Sequence, residues 1–80
     1  MDIKYAKTKL IKSDGTPVPE DEPFFVLRGQ DSLAVKAIHR YLMLCKEHGC
    51  SDEHLETIAH NSMVIQHWQS QNPDLVKLPD

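Results

Sequence analysis

The segment Arg28-Gly29-Gln30-Asp31 combines residue types that can bind a small anion. A guanidinium group grips phosphate or carboxylate through paired hydrogen bonds, and the free amides at the start of a helix attract negative charge. Gly29 lets the backbone approach a ligand closely, and Gln30 can read the polar edge of a base. The sequence therefore predicts a site for a small anionic ligand, with Arg28 and Gln30 as its polar contacts.

Aromatic side chains elsewhere in the chain could stack on the base of such a ligand. The predicted ligand-binding residues are Arg28, Gln30, Tyr5, Phe25 and Trp68. An ordinary structural interpretation competes with this one, because aromatic side chains are commonly core residues. Asp31 could also occupy the helix amides itself, and Arg28 could pair with an acidic residue at 20–22.

Two thiols and two imidazoles lie within a short stretch, at Cys45, His48, Cys50 and His54. Zinc accepts these ligand types, but the spacing matches no common zinc motif. The single residue between His48 and Cys50 also makes tetrahedral closure difficult. The competing interpretation places Cys45 in the core and His48 at a helix C-terminus, where a cation is favourable. We predict no metal site and no cofactor.

No arrangement of residues supports catalysis. His60 and His67 are seven positions apart, so on a helix they stand about 10 Å from each other and cannot share one metal ion. The chain has no serine in a nucleophile motif, no glycine-rich phosphate loop and no evident carboxylate–histidine pair. We therefore predict a binding protein, and we assign no catalytic residue.

The first part of the chain, which must position Arg28, reads as a short β-hairpin or ribbon. Residues 3–12 and 24–28 carry strand-favouring patterns, and the second run is the clearer of the two. Asp14-Gly15 suits a tight turn, and the acidic, proline-punctuated segment 18–23 suits a surface connector. These elements predict an α+β fold class.

The second part of the chain reads as an antiparallel helical hairpin, with helices at about 32–48 and 52–71, followed by an extended C-terminal tail. Gly49 suits the end of the first helix, and Ser51 suits the start of the second. The apolar positions predicted to form the core are Leu33, Ile38, Tyr41, Leu55, Ile58 and Ile65. Ser62 falls on the same stripe, and we expect it to tolerate alanine.

Composition places the chain among small globular proteins. Its 80 residues fit a single domain spanning 1–80, with 40% hydrophobic and 26% charged residues. A net charge of -3 argues against binding bulk nucleic acid, and no apolar run approaches the roughly 18 residues of a membrane helix. We expect a cytoplasmic protein with free thiols that forms a homo-oligomer, because so short a chain builds a small core.

Residues 19–31, followed by Leu33-Ala34, resemble small proteins of unassigned role that are encoded by phages and by bacterial genomes carrying phage genes. The similarity covers chiefly residues 16–34, and it is weaker at His67-Trp68-Gln69 and at 77–80. The resemblance implies a phage accessory protein acting in the host cytoplasm. Compact phage proteins of this size often resemble inhibitors of host defence. The resemblance therefore suggests that this protein inhibits host defence, either by sequestering a nucleotide signal or by blocking a protein.

These observations together predict a non-catalytic phage-type accessory protein that binds and sequesters a small nucleotide-like immune signal as a homo-oligomer. The alternative is a protein-interaction module that inhibits or adapts a host or phage protein through its acidic connector and a helical face. A third, weaker candidate is a metal-stabilised regulator built on the cysteines and histidines.

Overall fold

The computed structural model describes residues 12–79, which are built around two helices. Helix α1 covers Ala34–Glu47, helix α2 covers Asp52–Gln71, and a short 3-10 turn follows at Pro73–Leu75. The two helices pack against each other as an antiparallel pair. The helical hairpin predicted at about 32–48 and 52–71 is therefore confirmed, with bounds that differ by at most two residues.

The predicted α+β fold class is wrong, because residues 12–79 contain no β-strand and form an all-helical domain. Residues 24–28, predicted as the clearer strand, are irregular. Strand-favouring side chains do not make a strand unless a neighbouring chain completes the hydrogen-bond ladder. Phe24, Val26 and Leu27 are instead half-buried, while Phe25 points outward with 74% of its surface exposed. The other predicted strand, at 3–12, lies outside the described residues except for Lys12.

Local signals account for both ends of the interhelical turn. Gly49 adopts a φ of +75°, a left-handed conformation that glycine reaches without strain, directly after α1. The Ser51 hydroxyl accepts a hydrogen bond from the His54 amide at 3.2 Å, which caps α2. Asp52 and Glu53 in the first turn of α2 are favourable against its dipole. The sequence signals at Gly49 and Ser51 thus set the hairpin.

The C-terminal segment returns to the start of α1 after its 3-10 turn. The Lys77 amide donates a hydrogen bond to the Gln30 carbonyl at 2.9 Å, and the Ser32 amide donates to the Lys77 carbonyl at 2.9 Å. These bonds make one isolated parallel bridge between Asp31 and Lys77. The tail therefore holds the segment that carries Gln30, and the 3-10 turn interrupts its predicted extended course.

The core of the described residues is small and lies between the helices. Ala34, Cys45 and Ile58 are its buried apolar members, and Ser62, with only 2% of its surface exposed, is its buried polar one. Two of the predicted core residues are wrong: Leu33 and Tyr41 are exposed. Ile38, Leu55 and Ile65 are half-buried.

Ser62 occupies a position where the helices approach closely. Its hydroxyl lies 3.1 Å from His39 Nε2 in α1 and accepts a hydrogen bond from Gln66 Nε2 at 3.1 Å. A small side chain allows the close approach, and the two hydrogen bonds compensate for burying a hydroxyl. Ser62 therefore links the two helices.

We expect Ser62→Leu to lower the free energy of unfolding by about 1–3 kcal/mol, because the larger side chain must force the helices apart. Ser62→Ala removes a hydrogen bond and is expected to cost only about 0.5–1.5 kcal/mol, since the exposed His39 and Gln66 can bond to water instead. Urea denaturation monitored by circular dichroism measures both. A leucine variant as stable as the alanine variant would show that the helices do not meet closely at this position.

Candidate functional site

A surface pocket of about 430 Å³ lies between the segment before α1 and the C-terminal half of α2. Its lining residues are Arg28, Gly29, Gln30, Val64, Ile65, Trp68 and Leu75. The structure thus brings together three of the predicted ligand-binding residues, Arg28, Gln30 and Trp68, although Trp68 is distant from the other two in sequence.

The polar wall of the pocket is formed by Arg28 and Gln30. Arg28 Nη2 donates a hydrogen bond to Gln30 Oε1 at 3.2 Å, which orients both side chains. A guanidinium group has five N–H donors, so this contact leaves Arg28 able to bind an anion. The amide nitrogen of Gln30 is the donor that a ligand edge could use.

The apolar wall is formed mainly by Trp68, with Val64, Ile65 and Leu75 beside it. Gly29 lies against the six-membered ring of the indole: a Cβ added at Gly29 would come within 3.3 Å of Trp68 Cε3. The absence of a side chain at Gly29 therefore lets the loop sit on the indole. Trp68 keeps 37% of its surface exposed, so part of the ring remains available for stacking.

Gln69 fixes the loop to α2, and the sequence analysis did not identify it. Gln69 Nε2 donates hydrogen bonds to the Gly29 carbonyl at 2.9 Å and to the Asp31 carbonyl at 3.1 Å. One side-chain amide thus holds two backbone positions on either side of Gln30. The only available sequence signal was its spacing of four residues from Ile65, which places both on the inward side of α2.

At the N-terminus of α1, Asp31 occupies two of the amides that were predicted to attract the anion. Asp31 Oδ1 accepts a hydrogen bond from the Leu33 amide at 2.8 Å, and the Asp31 carbonyl accepts one from the Ala34 amide at 3.1 Å. The Leu33 and Ala34 amides are therefore already hydrogen-bonded to Asp31, in line with the competing interpretation of this segment. Its carboxylate also opposes an anion at that point, so the positive charge of the pocket comes from Arg28.

Of the two other predicted aromatic residues, only Phe25 falls within the described residues. Phe25 is exposed and does not line it. Tyr5 lies outside the described residues. Within residues 12–79, the aromatic contribution to the site therefore comes from Trp68.

The residues of the cysteine and histidine cluster make separate contacts: the two cysteines lie near each other, and His54 packs against Tyr41. Cys45 and Cys50 are free thiols that meet at the end of α1, and the rings of Tyr41 and His54 pack edge to face with centroids 6.3 Å apart. A hydrogen bond with Cys45 raises the pKa of both Cys50 and Tyr41. Within residues 12–79, no group of three or more cysteine, histidine or acidic side chains could hold a metal ion.

The contact between Ser62 and His39 has the residue types of a nucleophile and its base, but its setting is structural. A serine with 2% of its surface exposed cannot present its hydroxyl to a substrate. The Ser62 hydroxyl also receives the Gln66 amide. This pair supports helix packing rather than chemistry.

Comparisons with protein-family models, with curated proteins and with solved structures found no match to this chain. Neither helix in the described part of the chain is long and apolar enough to cross a membrane. The geometry of the pocket is therefore the structural feature that bears most directly on function.

Proposed function

We propose that this protein binds a small nucleotide-like anion without transforming it, in the pocket lined by Arg28, Gln30 and Trp68. The observation that carries the proposal is the placement of a guanidinium group, a carboxamide and a partly exposed indole around one pocket. Its volume of about 430 Å³ is within the usual range for small-molecule sites.

Each wall suits one part of a nucleotide. An indole stacks on any base, at about 1–3 kcal/mol per base, and a guanidinium group binds phosphate through a charge-assisted pair. The Gln30 amide adds a donor that can distinguish one polar edge from another. The resemblance of residues 19–31 to phage-encoded proteins suggests that the ligand is an immune signal and that the function is sequestration.

Binding is tested by thermal-shift screening of the purified chain with cyclic dinucleotides, cyclic ADP-ribose isomers and linear mononucleotides. We expect one class to raise the melting temperature and to quench the fluorescence of Trp68, the single tryptophan. Chromatography of the ligand released by denaturation should return it chemically intact. A panel in which nothing binds, or a ligand returned as a product, would contradict the proposal.

Arg28→Ala is expected to weaken binding roughly tenfold, because a charge-assisted hydrogen bond contributes about 1.5 kcal/mol or more. Arg40→Ala is the matched control, since Arg40 is exposed on α1 and does not line the pocket. Isothermal titration calorimetry measures both. Equal affinities for the two variants would show that the pocket is not the binding site.

A second candidate function is protein interaction, and the exposed apolar side chains of the helices favour it. Met43 and Leu44 in α1 and Met63 in α2 are all more than half exposed. A partner captured by the parent and by Arg28→Ala, but lost in Met43→Glu, would favour this candidate. A ligand-dependent thermal shift lost in Arg28→Ala would favour the nucleotide pocket.

We also expect a homo-oligomer, because the same exposed side chains give one chain of 80 residues a large apolar surface. Light scattering coupled to size-exclusion chromatography should report at least a dimer at micromolar concentration. A monomeric mass that does not change on concentration would contradict this expectation.

A further inference from the structure

The turn after α1 places two cysteines at facing positions. The Cys50 amide donates a hydrogen bond to the Cys45 carbonyl at 3.0 Å, and the Gly49 amide donates to the Lys46 carbonyl at 3.3 Å. With Gly49 at a φ of +75°, these bonds form a Schellman motif. In that motif the first and last residues of the hydrogen-bonded loop bring their side chains together, and here both are cysteines.

The backbone geometry brings the α-carbons of the two cysteines to about the separation that a disulfide spans. Because the hydrogen-bonded nitrogen and oxygen each lie within two covalent bonds of their own α-carbons, the 3.0 Å contact limits the Cα separation to about 7 Å or less. Disulfides span about 4.4–6.8 Å between α-carbons. The neighbouring Cys45 also raises the pKa of the Cys50 thiol, as expected for two thiols held close together by this turn.

The two thiols differ in accessibility. Cys45 is buried, with 5% of its surface exposed, whereas Cys50 is half-buried after the end of the helix. A small reagent can therefore reach Cys50 more easily than Cys45. This asymmetry is suited to a pair in which the accessible thiol attacks a disulfide from solution and the buried thiol then resolves the mixed disulfide.

We propose that Cys45 and Cys50 are a reversible dithiol–disulfide couple whose co-reactant is a low-molecular-weight disulfide such as oxidised glutathione. This inference is independent of the ligand pocket, which lies elsewhere on the molecule. It assigns a modification site to two residues whose spacing fits no metal motif.

The exchange has two balanced steps. Cys50 gives up its proton to solvent, its thiolate attacks one sulfur of oxidised glutathione, the glutathione disulfide bond breaks, and one glutathione thiolate leaves and takes up a proton. Because the pKa of Cys50 is raised, this exchange should be slow at neutral pH and faster in alkaline buffer. The Cys45 thiolate then attacks the Cys50 sulfur of the mixed disulfide and releases the second glutathione. The protein loses two protons and two electrons, and oxidised glutathione gains them as two molecules of thiol.

The test equilibrates the full chain with graded ratios of reduced and oxidised glutathione, followed by acid quenching, alkylation and intact mass measurement. We expect both thiols to become oxidised together, so that the intact chain is lighter by two hydrogen atoms. On a non-reducing gel the oxidised chain should still migrate as a monomer. The equilibrium constant for the intramolecular disulfide should be at least roughly tenfold higher in buffer than in concentrated urea, because the fold holds the thiols in contact. A constant equal to or below that in urea would overturn the proposal.

Two variants separate the roles of the cysteines. Cys45→Ala should accumulate a stable glutathione adduct on Cys50, since the resolving thiol is gone, whereas Cys50→Ala should leave the buried Cys45 largely reduced. Circular dichroism establishes that each variant is folded, and the measurement on the parent chain decides the proposal without them. A parent chain that accumulates the glutathione adduct or a disulfide between chains would also overturn it.

Discussion

Ile58→Ala is expected to lower the free energy of unfolding by about 2–4 kcal/mol, because it removes buried methyl groups and leaves a cavity between the helices. Ile58 is among the few buried apolar residues described, with 7% of its surface exposed. A small domain has only a few kcal/mol of stability, so the melting temperature should fall by on the order of 10–30 °C.

Met63→Ala is the matched control for this experiment, because Met63 lies on the same helix with 66% of its surface exposed. Its truncation should cost less than about 0.5 kcal/mol. Urea denaturation followed by far-ultraviolet circular dichroism compares the two. Similar losses for both variants would mean that the inward face of α2 has been assigned wrongly.

The helices could be predicted from the sequence because their signals act over a single turn. Gly49 ends α1 through its own backbone conformation, and Ser51 caps α2 through one hydrogen bond to His54. The predicted strand at 24–28 depended on a partner strand, which is not a local property. The side chains at 24–28 favour a strand, but within residues 12–79 no neighbouring segment forms a hydrogen-bond ladder with them.

The choice of buried face was harder to predict than the helices themselves. Tyr41 is apolar enough for a core position, yet its side chain is exposed. Its ring contacts only the edge-to-face partner His54 among the described aromatic rings. Ser62 is polar, yet it is buried because the helices approach closely there and its hydroxyl has partners on both. Hydrophobic periodicity ranks side chains by polarity, whereas close helix packing also selects for small size.

The site was partly predictable for a similar reason. Arg28 and Gln30 are two positions apart in sequence, so a single loop places them together, and the sequence indicated both. The choice of Trp68 over Phe25 as the aromatic wall depends on how the loop docks on α2. That docking is fixed by the Gln69 hydrogen bonds to the loop carbonyls, for which the sequence offered only the spacing of Gln69 from Ile65.

Gln69→Glu is therefore expected to be more damaging than its conservative appearance suggests. The substitution keeps the size of the side chain but replaces the amide nitrogen that donates to the Gly29 and Asp31 carbonyls with a carboxylate oxygen. Two part-buried carbonyls lose their donor and face a negative charge, so the free energy of unfolding should fall by about 2–4 kcal/mol. Gln69→Ala removes the donor without adding the charge and should cost about 1–3 kcal/mol.

The loop that carries Arg28 and Gln30 should also detach from the indole in Gln69→Glu. Fluorescence emission of Trp68, the single tryptophan, should then shift to longer wavelength at a denaturant concentration below the global transition. Affinity for the nucleotide found in the screen should fall although Gln69 does not line the pocket. Gln71→Glu is the matched control, since it makes the same charge change at an exposed position at the end of α2.

The loss of stability in Gln69→Glu should be larger at high pH than at low pH, because the introduced carboxyl group faces two backbone carbonyls. The two carbonyls favour the protonated form of the introduced carboxyl group, so its pKa in the folded state should lie above the ordinary value for glutamate, about 4.3. At pH values above that raised pKa, the introduced carboxylate should lower the free energy of unfolding by its full amount. It should diminish as the pH falls through it, because the protonated group can donate one hydrogen bond. Urea denaturation of Gln69→Glu and Gln71→Glu across this pH range tests the assignment, and parallel stability profiles for the two would show that Gln69 does not hold the loop.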